Sequence, residues 1–152
     1  MEIVITVGND LQFIARTEEE RCPRTCKAFA STLPFAARLI QARWSGEAGW
    51  APLIGSALDG AVSWFENPTS HPAPGELLLY PGGLSEPELL VPYGPTTFSS
   101  KVGQLAGNHF LTIIRGQEQL NELGRRVLWE GAQEIRMSRA LHPDPRVETA
   151  KA

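Results

Sequence analysis

Three side chains stand out for the reactions they are able to support: Arg43, Glu47 and His109. Arg43 closes an apolar-rich run and is followed by Trp44. A guanidinium in that setting offers a planar fork to a carboxylate or amide oxygen, while the indole shapes the pocket. Glu47 follows four residues later, across Ser45-Gly46, placed to act as a general acid or base or simply to neutralise Arg43. His109 sits between Asn108 and Phe110, and in an extended segment it faces away from both. An imidazole changes charge near neutrality, so slight burial or a nearby carboxylate tunes it for proton transfer. The plainer alternatives are a strand-end arginine in a salt bridge and a histidine that only helps to hold a strand.

Other residues are suited to lining a pocket rather than reacting in it. Tyr80-Pro81-Gly82-Gly83 ends a strand with glycines that let backbone amides approach a ligand, unless the segment is only a tight turn. Tyr93-Gly94-Pro95 is another turn with an aromatic handle. With Trp44, Asn108 and Leu111, the tyrosines Tyr80 and Tyr93 and the glycines Gly82 and Gly83 form the expected ligand-binding set. Ser45 has no Gly-x-Ser-x-Gly elbow around it and no base to activate it. No phosphate-cradling loop is present, and His71 and His142 belong to a proline-rich loop and a polar tail, so neither a cofactor nor a metal is expected. Cys22 and Cys26 lie four apart on one helical face and read as small core or half-buried thiols rather than a disulfide framework.

These groups need elements to position them. Ile3, Ile5 and Val7, then Leu11, Phe13 and Ala15, alternate about the turn Gly8-Asn9-Asp10, which predicts a hairpin over 2–17. Pro23 suits a helix first turn, and Cys26, Phe29, Ala30 and Leu33 share one stripe, so a helix is expected over 23–33. Strands follow at 37–44, from the Ser45-Gly46 turn through Trp50, and at 61–66, 77–80, 88–91 and 110–114. A loop covers 67–75 and another covers 95–103. Leu120, Leu123, Val127 and Leu128 share a face of a second helix over 117–130, closed by Gly131. Ile135 and Met137 suggest a last strand, and from His142 the chain is polar and proline-broken, a frayed tail over 142–152. Residues 1–141 therefore read as one domain. It is mainly β, a closed or nearly closed barrel of about eight strands with two α-helices over its ends.

Composition narrows the partners. At 152 residues the chain is long enough for one core without a disulfide or metal, and 42% hydrophobic residues suit a globular protein. A net charge of −3 and the lack of a Lys/Arg cluster argue against nucleic acid. Neither a signal peptide nor a long apolar span is evident, so a cytoplasmic protein with no membrane partner is expected.

Three segments carry a resemblance. Cys22-Pro23-Arg24-Thr25 with Phe29 resembles the first-helix pattern of cyclophilins. His71-Pro72-Ala73-Pro74-Gly75-Glu76-Leu77 resembles their His-x-Gly-Pro-Gly-x-Leu stretch, and Gly107-Asn108-His109-Phe110-Leu111-Thr112 their Gly-Ser-Gln-Phe-Phe-Ile strand. The likeness spans residues 2–139 and implies the same barrel. The departures fall on function: Gln41-Ala42-Arg43 keeps only the arginine of Phe-His-Arg, no Gln-Gly-Gly-Asp follows, His109 stands at the substrate-facing glutamine, and Leu111 replaces the second phenylalanine. Ala42-Arg43-Trp44-Ser45-Gly46-Glu47, with the Tyr80 and Gly107 segments, is more similar to a bacterial and archaeal family that has a cyclophilin-like fold and no established function.

The leading expectation is a groove around Arg43 and His109 that binds or transforms a small amide, imide or carboxylate compound. A peptidyl-prolyl isomerase acting on a short peptide is the alternative, with Arg43 donating to the imide nitrogen as the bond twists. A non-catalytic, homo-oligomerising module using exposed tryptophans such as Trp129 is the third reading.

Overall fold

The structure is a computed structural model that describes residues 1–141; the tail expected over 142–152, His142 included, lies outside the described residues. Along the chain run β1 (Glu2–Val7), β2 (Leu11–Thr17), α1 (Pro23–Ala30), β3 (Phe35–Gln41) and β4 (Gly46–Pro52). Then come β5 (Pro68–Thr69), β6 (Glu76–Tyr80), β7 (Glu88–Thr96), β8 (Ser99–Ser100), β9 (Gly103–Gln104) and β10 (Gly107–Arg115). A single 3-10 turn (Gln117–Gln119) leads into α2 (Leu120–Trp129), and β11 (Gln133–Arg139) completes the described fold.

Eight antiparallel strands form a closed ring in the order β2-β1-β11-β3-β4-β7-β6-β10, with β10 pairing back to β2. Closure leaves the barrel without a free edge. The alternation seen in the hairpin is the cause of its orientation. Ile3, Ile5 and Val7 of β1, and Leu11, Phe13 and Ala15 of β2, all point into the barrel core. The helices close its ends. Helix α1 packs Phe29 edge-on against Phe110, ring centroids 5.0 Å apart. At the other end α2 lays Leu120, Leu123 and Val127 over β3, β4 and β7.

A second, smaller core lies outside the ring. Leu77 and Leu79 face inward, whereas Leu78 and Tyr80 face outward and join Ala42, Ala48, Leu90, Phe98 and Leu105 under the segment that carries β8 and β9. Strands β6 and β7 are thus buried on both faces, which is why they read as continuous apolar runs rather than alternating ones.

Several expectations about the elements need correction: α1 ends at Ala30 rather than 33, the strand expected at 37–44 is β3 at Phe35–Gln41, and the expected loops over 67–75 and 95–103 carry β5, β8 and the start of β9. Residues 61–66 form no strand. Val62 drops into the core, while Glu66 N–H donates to Asn108 Oδ1 (2.9 Å) and Asn108 Nδ2 donates to Trp64 C=O (3.0 Å). A side-chain amide satisfies this backbone in place of a ladder, so the stretch covers the α1 end of the barrel. Strand β7 runs to Thr96, beyond the expected end at residue 91 and into the expected loop, because Pro92 and Thr96 pair with Ala48 and Gly46 of β4 on either side of a register shift that takes in Tyr93-Gly94-Pro95.

Candidate functional site

The outer face of β4 and β7 carries an ionisable group with a buried oxygen that has no hydrogen-bond partner among the described residues. Glu88 opens β7 on the same outward face as Leu90 and is only 3% exposed. Its Oε2 accepts a hydrogen bond from Trp50 Nε1 at 2.6 Å; its Oε1 is buried, and no protein donor reaches it. A buried carboxylate with one satisfied oxygen is costly, so the group favours its neutral form. Burial pushes the Glu88 carboxyl up to about 7; the Trp50 hydrogen bond pulls the other way, and the charge of Glu86 adds a smaller rise. The carboxyl forms one wall of a pocket of about 220 Å³ lined also by Trp44, Trp50, Ser85, Glu86, Ser100 and Lys101. Trp44 packs edge-on to Trp50 with centroids 5.7 Å apart, so two indoles stand beside one protonatable carboxyl.

Arg43 and Glu47 line a different pocket. The β3–β4 turn that carries Arg43, strand β7 and helix α2 enclose about 370 Å³ bordered by Gln41, Arg43, Glu47, Tyr93, Asn121 and Arg125, among others. Tyr93 forms the floor, and its hydroxyl donates to Gln41 Oε1 at 2.5 Å. The expected alternative of an Arg43–Glu47 ion pair is not realised: neither side chain pairs with an opposite charge among the described residues.

His109 does not share a groove with Arg43. The two lie on strands and turns half a ring apart, with β4, β7 and β6 between β3 and β10. They also lie at opposite barrel ends: Arg43 follows β3 beneath α2, and His109 precedes the Leu111–Thr17 pairing near α1. The expected single groove around both therefore does not exist. The His109 side chain is 15% exposed and its Nε2 lies 2.7 Å from Thr112 Oγ1. That hydroxyl spends its proton on Glu18 Oε1, 2.5 Å away, so it accepts from His109 and fixes the tautomer.

Two other expected ligand-binding residues are structural. Leu111 is fully buried, because a bulge between His109 and Leu111 turns both Phe110 and Leu111 into the core and breaks the alternation. Asn108 is fully buried and committed to Glu66, Trp64 and Thr25. Tyr80, Gly82 and Gly83 meet in a third, mostly apolar pocket with Phe65, Leu84 and Leu105. There the Tyr80 hydroxyl accepts from the Leu84 N–H at 3.0 Å, so it anchors the loop that follows. Cys22 and Cys26 are free, buried thiols that donate to the carbonyls of Glu66 and Phe110. Among the described residues no group of three or more His, Cys, Asp or Glu side chains is arranged to hold a metal ion.

A family model described as "Protein of unknown function (DUF3830)" matches residues 4–139. The chain belongs to the DUF3830 family. No curated protein matches it in sequence. Among solved structures, the DUF3830 chain is similar to one titled "Structure of McbB in complex with tryptophan", with a TM-score of 0.68 and 21% identity. The likeness covers 93% of this chain and 46% of that protein, so the DUF3830 barrel spans less than half of McbB. At that identity it shows the fold, the cyclophilin-like barrel with two helices that the motifs implied.

In this DUF3830 protein the residue missed by the sequence reading is Glu88, together with its partner Trp50 and the nearby Lys101. A signal for Glu88 existed. In Glu88-Leu89-Leu90-Val91 a carboxylate heads an uninterrupted apolar run, the pattern of a strand buried on both faces. An ionisable group at the edge of such a strand is a candidate for a shifted pKa. No helix among the described residues is long and apolar enough to cross a membrane.

Proposed function

We propose that this protein binds, and is chemically equipped to transform, a compact planar amide, imide or carboxylic acid in the Glu88 pocket. One observation carries the reading: Glu88 lines the pocket, and its buried Oε1 has no partner from the protein. Buried polar atoms in folded proteins are nearly always hydrogen-bonded, so an unmatched one on a residue that lines a pocket invites a ligand atom. When protonated, Glu88 offers an O–H to a ligand carbonyl, while Trp50 holds the other oxygen in place. The Trp44 and Trp50 faces suit a flat molecule, and Lys101 at the rim favours a partial or full negative charge. A carboxyl poised near neutrality also gives and takes protons readily. McbB, solved with tryptophan, is a precedent for a small molecule on this fold and is silent about the position. The expected groove around Arg43 and His109 is replaced in this reading by the Glu88 pocket.

Calorimetric titration with a panel of small cyclic imides, ureas, amides and carboxylic acids tests the proposal. Saturable binding is expected for at least one class. Glu88→Leu, which removes a buried polar group without emptying its volume, should keep the fold and weaken that binding by about tenfold or more. A folded wild-type protein that gives no heat with any class, or a Glu88→Leu variant that binds equally well, overturns it.

A further inference from the structure

The cleft beneath α2 holds two opposite charges that the fold keeps apart. The β3–β4 turn is pinned by Ser45 N–H to Ala42 C=O (2.9 Å) and Thr97 N–H to Ser45 C=O (3.0 Å). Gly46 sits at φ +111°, where an added Cβ would lie 2.7 Å from the Pro95 carbonyl oxygen. From this turn Glu47 runs along β7, its carboxyl packed so closely over Gly94 that a Cβ there would be 2.9 Å away. That course holds the carboxylate beside β7 rather than folding it back on Arg43.

The floor between them is built rather than incidental. Tyr93 is 8% exposed, and its ring presses directly on the helix backbone at Gly124, the position in α2 where a side chain would collide with it. The phenol is raised above its usual range by burial first, against the opposing effect of the hydrogen bond it donates to Gln41. Glu47 raises it further and Arg43 lowers it, so both charges act on the same hydroxyl. Arg125, the other cation lining the cleft, is already held by Glu122 (2.8 Å) and Glu130 (3.0 Å). Leu128 and Trp129, the latter 76% exposed, supply an apolar rim.

We propose that this cleft is a second binding site, for a small zwitterion whose anionic group meets Arg43 and whose cationic group meets Glu47. An exposed Arg–Glu pair is worth little by itself, so holding the two apart costs little. A ligand that brings both complementary charges forms two charge-assisted hydrogen bonds at once and lays its apolar part on Trp129 and Leu128. The volume of about 370 Å³ suits an amino acid or a very short peptide, the two sources of that chemistry. The site is separate from the Glu88 pocket and shares no lining residue with it.

The test is titration of the full chain with L-phenylalanine, phenylalanylglycine, N-acetylphenylalanine and phenylalaninamide. At least one of the first two should bind saturably, the tighter one naming the source. Arg43→Gln and Glu47→Gln should each weaken it by about tenfold or more. Any residual binding of the acetylated compound should ignore Glu47→Gln, and that of the amide should ignore Arg43→Gln. Glu88→Leu should leave binding of the two zwitterions unchanged, which keeps failure here distinct from failure of the Glu88 pocket. Absence of saturable binding by either zwitterion, or binding that survives one or both charge-neutral variants, overturns the proposal.

Discussion

The two pockets use ionisable groups in opposite ways. In the Glu88 pocket a carboxyl is taken out of water, given one hydrogen bond, and pushed toward its neutral form. In the cleft beneath α2, Arg43 and Glu47 stay exposed and, among the described residues, unpaired, over a buried tyrosine. Burial therefore sets the chemistry on the barrel wall, whereas placement sets it at the barrel end. A group of the first kind is coupled to stability and pH. One of the second kind should contribute little to stability.

The sharpest break in that comparison comes from the tryptophans. Trp50→Ala removes packing from the outer core and the one donor to Glu88, and should cost about 3 kcal/mol in chemical denaturation. Trp129→Ala, on the exposed rim of the cleft, should stay within about 0.5 kcal/mol. Equal losses at the two positions would erase the distinction.

The pH dependence of Glu88 comes next. Its folded pKa lies above the ordinary carboxyl value of 4.5, at about 7, so between these values the folded state holds a proton that the unfolded state releases. The contribution is present in full below about pH 4.5 and is lost as pH rises through about 7. It amounts to about 2 kcal/mol once screening through the pocket mouth is allowed for. Glu88→Gln should abolish this fall, leaving the variant relatively more stable than the wild type at pH 8. Intrinsic fluorescence should follow the same titration in the wild type, through Trp50, and a flat profile would place the carboxyl in an ordinary environment.

The smallest effect belongs to the cleft. Arg43→Gln should change stability by no more than about 0.5 kcal/mol at any pH, since its guanidinium pairs with nothing among the described residues. A larger loss would reveal a structural role for that side chain.

Much of the barrel was legible because its signals are local. The hairpin alternation of β1 and β2, the stripe on each helix, and Pro23 at the first turn of α1 are short-range patterns, and the structure follows them except at Leu33, which lies beyond the end of α1 at Ala30. The site was less legible, for two physical reasons. Alternation carries no information about a bulge, and one at Phe110 sent Leu111 inward. Nor does spacing along the chain report position around a closed ring, so Arg43 and His109, each plausible alone, ended half a barrel apart. Glu88 was hidden for a related reason: its burial depends on the segment at 97–106 folding over the outer face, a contact between distant parts of the chain.

The order of residues by itself determined the β1–β2 hairpin, the places of the two helices and most of the barrel strands, and which faces of β1, β2 and the helices turn inward, because those depend on neighbours within a few positions. Only tertiary structure decided that Trp50 and Glu88 meet in a shared pocket. It also decided that Arg43 and Glu47 stay unpaired over Tyr93, and that Asn108 serves the backbone of 64–66. Desolvation and hydrogen-bond partnership arise only when the ring closes and its covering segments settle, and those two quantities govern what an ionisable side chain is able to do.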